Sequence, residues 1–289
     1  MNTHGVRGLE PFVQHQSEEH QLLLSQWMEH NQQLTVGFTT RNGGVSKTPF
    51  DTFNIGLHVN DDAEDVLLNR QKLAHSVGMS FEAWTNGEQI HSNQIAIVTS
   101  KERGSGRSSM EDAIEGVDGL LTNEPDILLT SFYADCVPLY FWDAEHQVIG
   151  LAHAGWKGTA AAIGKQMIDT MSTVYHSKPE QIRCAIGPAI GACCYEVNHV
   201  VIDRIEELWH TLELPGEALA SVFTKKQAGH AHINLKEINR QIMIKAGIMP
   251  SHIEISEWCT GCSRQLFYSH RMENGKTGRM ASWIGIRKG

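Results

Sequence analysis

No apolar run approaches the roughly 18 residues that a membrane-spanning helix needs. The first thirty residues lack a basic start followed by an apolar core, so neither export nor membrane insertion is expected, and the cytoplasm is the expected location. An excess of basic charge is missing too: 33 acidic residues against 24 basic ones leave a formal charge of −9. That argues against nucleic acid or an anionic membrane as main partner, while leaving room for a local basic pocket that holds phosphate. Cysteine is sparse, six in 289 residues. The long structured intervals between most of them fit reduced thiols better than a disulfide framework. No GxxxxGKS/T phosphate loop occurs, and no internal repeat or linker divides the chain. Against these absences, a hydrophobic content of 41% supports a substantial core. Sixteen histidines, a mild excess, favour a metal site without locating it.

The most informative stretch is SFYADCVPLYFWDAEHQVIGLAHAGWKG, residues 131–158. Two apolar runs, 137–142 and 148–152, flank a polar corner at 143–147 and read as a strand hairpin. Cys136 stands just ahead of the first run and His153 just behind the second, so the hairpin brings them to one end. His91 likewise sits at the edge of an element, ahead of the apolar segment 95–98. A thiolate beside an imidazole is either a nucleophile with its base or a pair of metal ligands. Two histidines and a cysteine make a common catalytic zinc set with a fourth position left for water, and such soft donors disfavour magnesium and calcium. The spacings of 45 and 17 residues match no short zinc motif, so unrelated core residues stand as a third reading.

Other segments carry weaker signals. Residues 34–39 alternate as a strand and run into Thr40-Arg41-Asn42-Gly43-Gly44, an ordinary turn or a place where Arg41 and exposed amides hold an anion. His58 is either a structural hydrogen-bonder or a pocket-lining group. In HAGWKG, Gly155 and Gly158 permit close backbone approach, and Lys157 with the first-turn amides can receive an anion; packing glycines beside a solvated lysine are the alternative. Cys193-Cys194 reads as a buried shoulder under a glycine-rich loop. Cys259 and Cys262 read as packing thiols, because a closed zinc site wants two further ligands at matching spacing and a redox CxxC wants a thioredoxin-like setting. Helices are expected over residues 18–28, 63–77, 159–174, 200–208 and 231–246, with 211–223 irregular. Strands and helices alternate without a βαβ rhythm, which predicts an α+β, mixed-sheet fold in one domain over residues 1–289, residues 1–33 forming a partly ordered lead-in.

Taken together, GFTTRNGGVS (37–46), NIGLHVNDD (54–62), QIH (89–91), ADCVP (134–138), HAGWKG (153–158), IGPAIGACCYEV (186–197) and CTGC (259–262) closely resemble the laccase-domain family. Its members are also called polyphenol oxidase or purine nucleoside phosphorylase family proteins. The likeness runs from about residue 35 to residue 287, and the motifs are jointly specific. The resemblance implies a single domain of layered α/β/β/α type with mixed sheets, and a zinc ion held by His91, Cys136 and His153. It implies phosphorolysis of adenosine, inosine, guanosine and methylthioadenosine, together with adenosine deamination. Older naming implies copper-dependent oxidation of phenols; copper would take the same site by outcompeting zinc for nitrogen and sulfur ligands. The expected partners are a nucleoside and phosphate, with monomer and homodimer both open. Arg41 and Lys157 are then expected to hold phosphate, with His58 beside them. Asp118, Asp135 and Glu88 are the candidate proton carriers, none of them in the HxE arrangement of nucleoside deaminases. Lys157 departs from the family's usual arginine, keeping the charge but not the bidentate fork, and Asn60 stands where glycine is frequent. Two readings from other classes stay beside this one: a different hydrolase or oxidase at the same metal site, including one that edits peptidoglycan precursors, and a metal-binding protein without catalysis.

Overall fold

The structure, a computed structural model, describes residues 10–227 and 229–288. The chain opens with β1 (Val13–Gln14), β2 (Gln21–Leu23), α1 (Ser25–His30) and β3 (Leu34–Thr39), followed by α2 (Ala63–Ser76), β4 (Trp84–Asn86) and β5 (Ile95–Ile97). The middle holds β6 (Gly119–Thr122), β7 (Leu128–Tyr133), β8 (Val137–Asp143), β9 (Val148–Ala154), α3 (Trp156–Ala160) and α4 (Ile163–Tyr175). Next come β10 (Arg183–Ile186), β11 (Glu196–Asn198), α5 (His199–Thr211), α6 (Gly216–Val222), β12 (Phe223–Gln227) and β13 (His230–Ile233). The last elements are α7 (Leu235–Lys245), β14 (Ile253–Ile255) and β15 (Met280–Ile286).

Two six-stranded mixed sheets lie face to face, one ordered β1-β2-β3-β15-β7-β4 and the other β14-β10-β8-β9-β6-β5. Side-chain alternation explains why their central strands are apolar throughout, since each strand feeds two buried layers. On β8, Tyr140 and Trp142 point into the layer between the sheets, while Val137, Leu139 and Phe141 point outward beneath α4 and α7. On β7, Leu129 and Tyr133 face inward, and Leu128 and Phe132 face the layer under α2. The result is a single α/β/β/α stack, as the motifs imply. The Tyr140 hydroxyl ties the sheets together by donating to the Gly37 carbonyl of β3 at 2.8 Å. A third, three-stranded sheet, β11-β13-β12, sits beside α5.

Local chemistry sets the helix ends. Asp62 caps α2 by accepting the Glu64 amide, two acidic residues occupy the first turn, and Gly78 at φ +72° follows its end. Asn234 caps α7 by accepting the Glu237 amide, so the helix begins at Leu235, and the preceding residues expected to be helical form β13 instead. The helix expected over 159–174 is two, broken where Ala162 takes φ +54°. Residues 18–28 are not one helix: β2 pairs with β3, and only α1 is helical. Phe12, Leu22, Leu24 and Trp27 are buried in the inter-sheet layer, so the described part of the lead-in anchors to the core through these side chains; residues 1–9 lie outside the described residues. Part of 211–223, expected to be irregular, is α6.

Candidate metal centre and its pocket

Strand register brings the central residues together. In the β8–β9 hairpin Val137 lies opposite Ala154 and Pro138 opposite His153. Cys136, one residue ahead of β8, therefore meets His153 at the same end. Because β6 pairs with β9 through Gly119 and Ala152, Asp118 lands beside His153, whose amide donates to the Asp118 carbonyl at 2.8 Å. His91 comes from the loop between β4 and β5, where Gln89 and His91 both take positive φ, 61° and 63°. Gln89 docks that loop on β7, donating to the Phe132 carbonyl at 3.0 Å and accepting its amide at 2.7 Å. The ligand atoms of His91, Cys136 and His153 lie within 4.8 Å of one another. Gly155 makes this possible, since a Cβ there would sit 3.0 Å from both Cys136 Sγ and His91 Cδ2.

Asp118 works behind the donors. Its Oδ1 accepts from His153 Nδ1 at 2.9 Å and from the His91 amide at 3.1 Å, while Oδ2 accepts the Ser92 amide at 2.6 Å and the Ser92 hydroxyl at 2.9 Å. Holding Nδ1 leaves His153 Nε2 for a metal, a carboxylate–histidine arrangement that fixes tautomer and ring orientation. Burial alone would push the Cys136 thiol up, but the His153 and His91 imidazoles draw it down to about 6. Burial likewise opposes the His153 charge, yet Cys136 and Asp118 raise it to about 9. Each member of the pair thus favours the charged form of the other, and a dication in place of the proton would favour the thiolate in the same way. One sulfur and two imidazole nitrogens, backed by a carboxylate and cleared by a glycine, would suit a zinc-type ion.

That pocket measures about 480 Å³ and is lined, besides the three donors, by Phe132, Trp156 and Tyr195 and by the cations Lys157, Arg271 and Arg279. Among the described residues neither the Arg271 nor the Arg279 guanidinium is ion-paired with a carboxylate; these groups donate to the carbonyls of Glu196, Thr277 and Gly278. Sequence reading missed both, because each lies in the stretch 270–279, which carries no motif of its own. Lys157 lines the pocket, with Nζ 5.8 Å from the Trp156 ring centroid. His58 also lines it; burial, then Arg279 and Arg70, push its pKa down to about 4, although its outer edge is open to solvent.

Arg41 is elsewhere. Its guanidinium is paired with Glu273 at 2.8 Å and Asp51 at 3.8 Å and lies 4.5 Å from the Tyr268 ring centroid, so it clamps two loops instead of facing the pocket. Asp135 lines the pocket, but its carboxylate accepts from the Thr260 hydroxyl at 2.6 Å, the Ser269 hydroxyl at 2.8 Å and the Arg271 amide at 2.8 Å. Held this way, it orders the 260–271 loop. Glu88 lines the pocket with Oε2 accepting the Gly116 amide at 3.0 Å. The expectation for the remaining cysteines also needs correction. Cys193, Cys194, Cys259 and Cys262 form one group with sulfurs within 4.8 Å, where the sequence reading had two separate packing pairs.

Fold and site together define a single-domain α+β protein in which a His-Cys-His group that could hold a metal ion opens on a cation-lined pocket. The chain belongs to the family described as multi-copper polyphenol oxidoreductase laccase, whose family model matches residues 35–287. It is 44% identical over 253 residues to a Geobacillus stearothermophilus protein named purine nucleoside phosphorylase YlmD, spanning 88% of this chain and 90% of the relative. It is 38% identical over 270 residues to the protein of the same name from Bacillus subtilis, spanning 92% and 95%. The crystal structure of YlmD from Geobacillus stearothermophilus superposes with a TM-score of 0.90 at 41% identity, covering 97% of this chain and all of that one. A Bacillus licheniformis hypothetical protein, YfiH, superposes with a TM-score of 0.89 at 42% identity, covering 96% of this chain and 100% of that one.

Proposed function

We propose that this chain is a zinc-dependent purine nucleoside phosphorylase acting at the His91–Cys136–His153 centre on adenosine, inosine, guanosine and methylthioadenosine. The observation that carries the reading is the junction, in one pocket of nucleoside size, of three candidate metal donors with two arginines whose guanidinium groups, among the described residues, pair with no carboxylate. The relatives named as purine nucleoside phosphorylases support it.

In phosphorolysis a phosphate oxygen bonds to C1′ as the C1′–N9 bond breaks, and the base leaves with a proton. Arg279 and Arg271, with Lys157, are placed to hold phosphate through charge-assisted hydrogen bonds. Phe132, Trp156 and Tyr195 offer the apolar surface that a purine ring or ribose needs. With Asp118 and Asp135 engaged, proton delivery to the departing purine falls to Glu88 or His270, which line the same pocket. His91, Cys136 and His153 would hold the zinc ion, which would supply Lewis acidity beside the substrate. Adenosine deamination is the accompanying reaction we propose, with Glu88 moving the protons. Copper-dependent oxidation of phenols is less well served: multi-electron reduction of oxygen needs several redox centres, and the other cysteine group brings no imidazole to bind copper(II). The cytoplasm is the proposed location; among the described residues no helix is long and apolar enough to cross a membrane.

The test follows adenosine by chromatography with and without phosphate, using zinc-loaded protein, metal-stripped protein and Cys136→Ala. Adenine with ribose 1-phosphate, formed only with phosphate and lost on stripping or substitution, supports the phosphorylase reading, and inosine reports deamination. Unchanged adenosine, inosine and guanosine with fully metallated protein would sink it and return the site to the hydrolase, oxidase or non-catalytic readings.

A further inference from the structure

We propose that Cys193, Cys194, Cys259 and Cys262 form a second metal site, a closed tetrathiolate zinc centre that fastens together the two loops forming one wall of the pocket. All four cysteines are free, and their sulfurs lie within 4.8 Å of one another. Three of the contacts, Cys193–Cys259, Cys193–Cys262 and Cys194–Cys262, measure 3.4 Å. A tetrahedral zinc with Zn–S bonds of about 2.3 Å wants its sulfurs roughly 3.8 Å apart, which lies between those limits. Four thiolates complete the coordination and leave no open position, the signature of a structural rather than a catalytic site.

The surroundings are shaped for the sulfurs. A Cβ on Gly191 would sit 3.2 Å from Cys193 Sγ and 3.3 Å from Cys259 Sγ, and one on Gly261 would sit 3.0 Å from Cys194 Sγ. Both glycines therefore keep the sulfur cluster uncrowded. The Gly191 amide donates to Cys259 Sγ at 3.1 Å, the kind of outer hydrogen bond that steadies a metal-bound thiolate. A tetrathiolate zinc carries net negative charge, and buried Lys236 lies within electrostatic reach of Cys259 and Cys193 while donating to the Ser256 and Trp258 carbonyls. Cys193 and Cys262 are exposed, so an ion can enter from solvent.

The two loops are functionally placed. One carries Ile190 and Tyr195 into the pocket wall, and the other carries His270 and Arg271. The Arg271 guanidinium lies 5.0 Å from the Tyr195 ring centroid and donates to the Glu196 carbonyl, so closing the cluster also positions one of the cations assigned to phosphate. Backbone bonds from the Ser256 amide to the Ile186 carbonyl at 2.9 Å and from the Thr260 amide to the Ala189 carbonyl at 3.1 Å already hold the loops together at their base, and the cysteines extend that junction toward the pocket wall.

The test is metal content per chain by mass spectrometry of the elements, measured on zinc-equilibrated wild type, Cys136→Ala, the double variant Cys193→Ser/Cys262→Ser, and the combination. The expected result is a second zinc in the wild type, loss of one ion in each variant and loss of both in the combination. The double variant should also unfold at lower temperature than Cys136→Ala. Should the double variant fail to fold, cobalt-loaded Cys136→Ala must show the intense thiolate-to-metal absorption of a tetrahedral sulfur site. A single ion per chain that Cys136→Ala removes entirely, or an intact mass showing the four thiols oxidised to disulfides in protein kept under cytosolic reducing potential, overturns the proposal.

Discussion

Replacing Asp118 by asparagine takes the charge from a side chain that holds both the His153 imidazole and the His91 backbone of the proposed metal centre. In the native structure Oδ1 accepts from His153 Nδ1 and the His91 amide, and Oδ2 accepts from the Ser92 amide and hydroxyl. An amide has one oxygen, so it can serve one pair of donors only. If the oxygen faces the histidines, its NH2 group confronts the Ser92 amide; if it faces Ser92, the NH2 group confronts His153 Nδ1 and the tautomer that leaves Nε2 free is lost. Substitution of such an outer carboxylate typically costs ~10–100-fold in metal affinity, about 1.4–2.8 kcal/mol. Competition against a chromophoric chelator measures this directly, and far-ultraviolet circular dichroism checks that the fold is kept. A correctly folded Asp118→Asn protein that binds zinc as tightly as the wild type would refute the reasoning, because Asp118 would then be a packing residue and not the group that orients the ligands.

Arg279→Met removes a pocket cation and about 1.5–3 kcal/mol of charge-assisted hydrogen bonding, so the KM for phosphate should rise about 10-fold or more while nucleoside KM moves little; initial rates at varied phosphate decide this. Gly37→Ala places a Cβ 2.4 Å from the Leu22 carbonyl and 2.5 Å from the Trp283 ring; the overpacking should cost at least about 1–3 kcal/mol, seen as a lower midpoint in urea. His20 is fully buried, and burial, then the charges of Lys72 and His15, push its pKa from 6.5 down to about 4. Above pH 6.5 it is neutral in both states; as pH falls from 6.5 toward 4 only the unfolded chain takes up the proton. Stability should therefore drop by up to about 1.4 kcal/mol per pH unit in that window, and urea titrations of His20→Gln should show a shallower slope.

The meeting of Cys136 and His153 was legible because strand hairpins convert sequence spacing into proximity. The apolar runs on either side of residues 143–147 define β8 and β9, and once paired they carry Cys136 and His153 to the same end. His91 was visible as an element edge and was joined to the pair by donor type and by the family resemblance, not by strand spacing, since its position depends on a loop held by Asp118 and Gln89. The four-cysteine group escaped because its halves are 66 residues apart and meet through loops rather than paired strands. Arg41 looked free for an anion because Glu273 and Tyr268, its partners, lie more than two hundred residues away. The 18–28 segment has helical spacing of apolar residues, yet pairing with β3 outweighs that local preference and buries Leu22 and Leu24 between the sheets. Long-range pairing, not propensity, decided these cases.

The most direct measurement is phosphorus magnetic resonance of zinc-loaded protein incubated with guanosine and inorganic phosphate. Growth of a ribose 1-phosphate resonance, matched mole for mole by free guanine and abolished in Cys136→Ala, is the result the account predicts. Free ribose with no consumption of phosphate, or guanosine unchanged beside a fully metallated site, would contradict it.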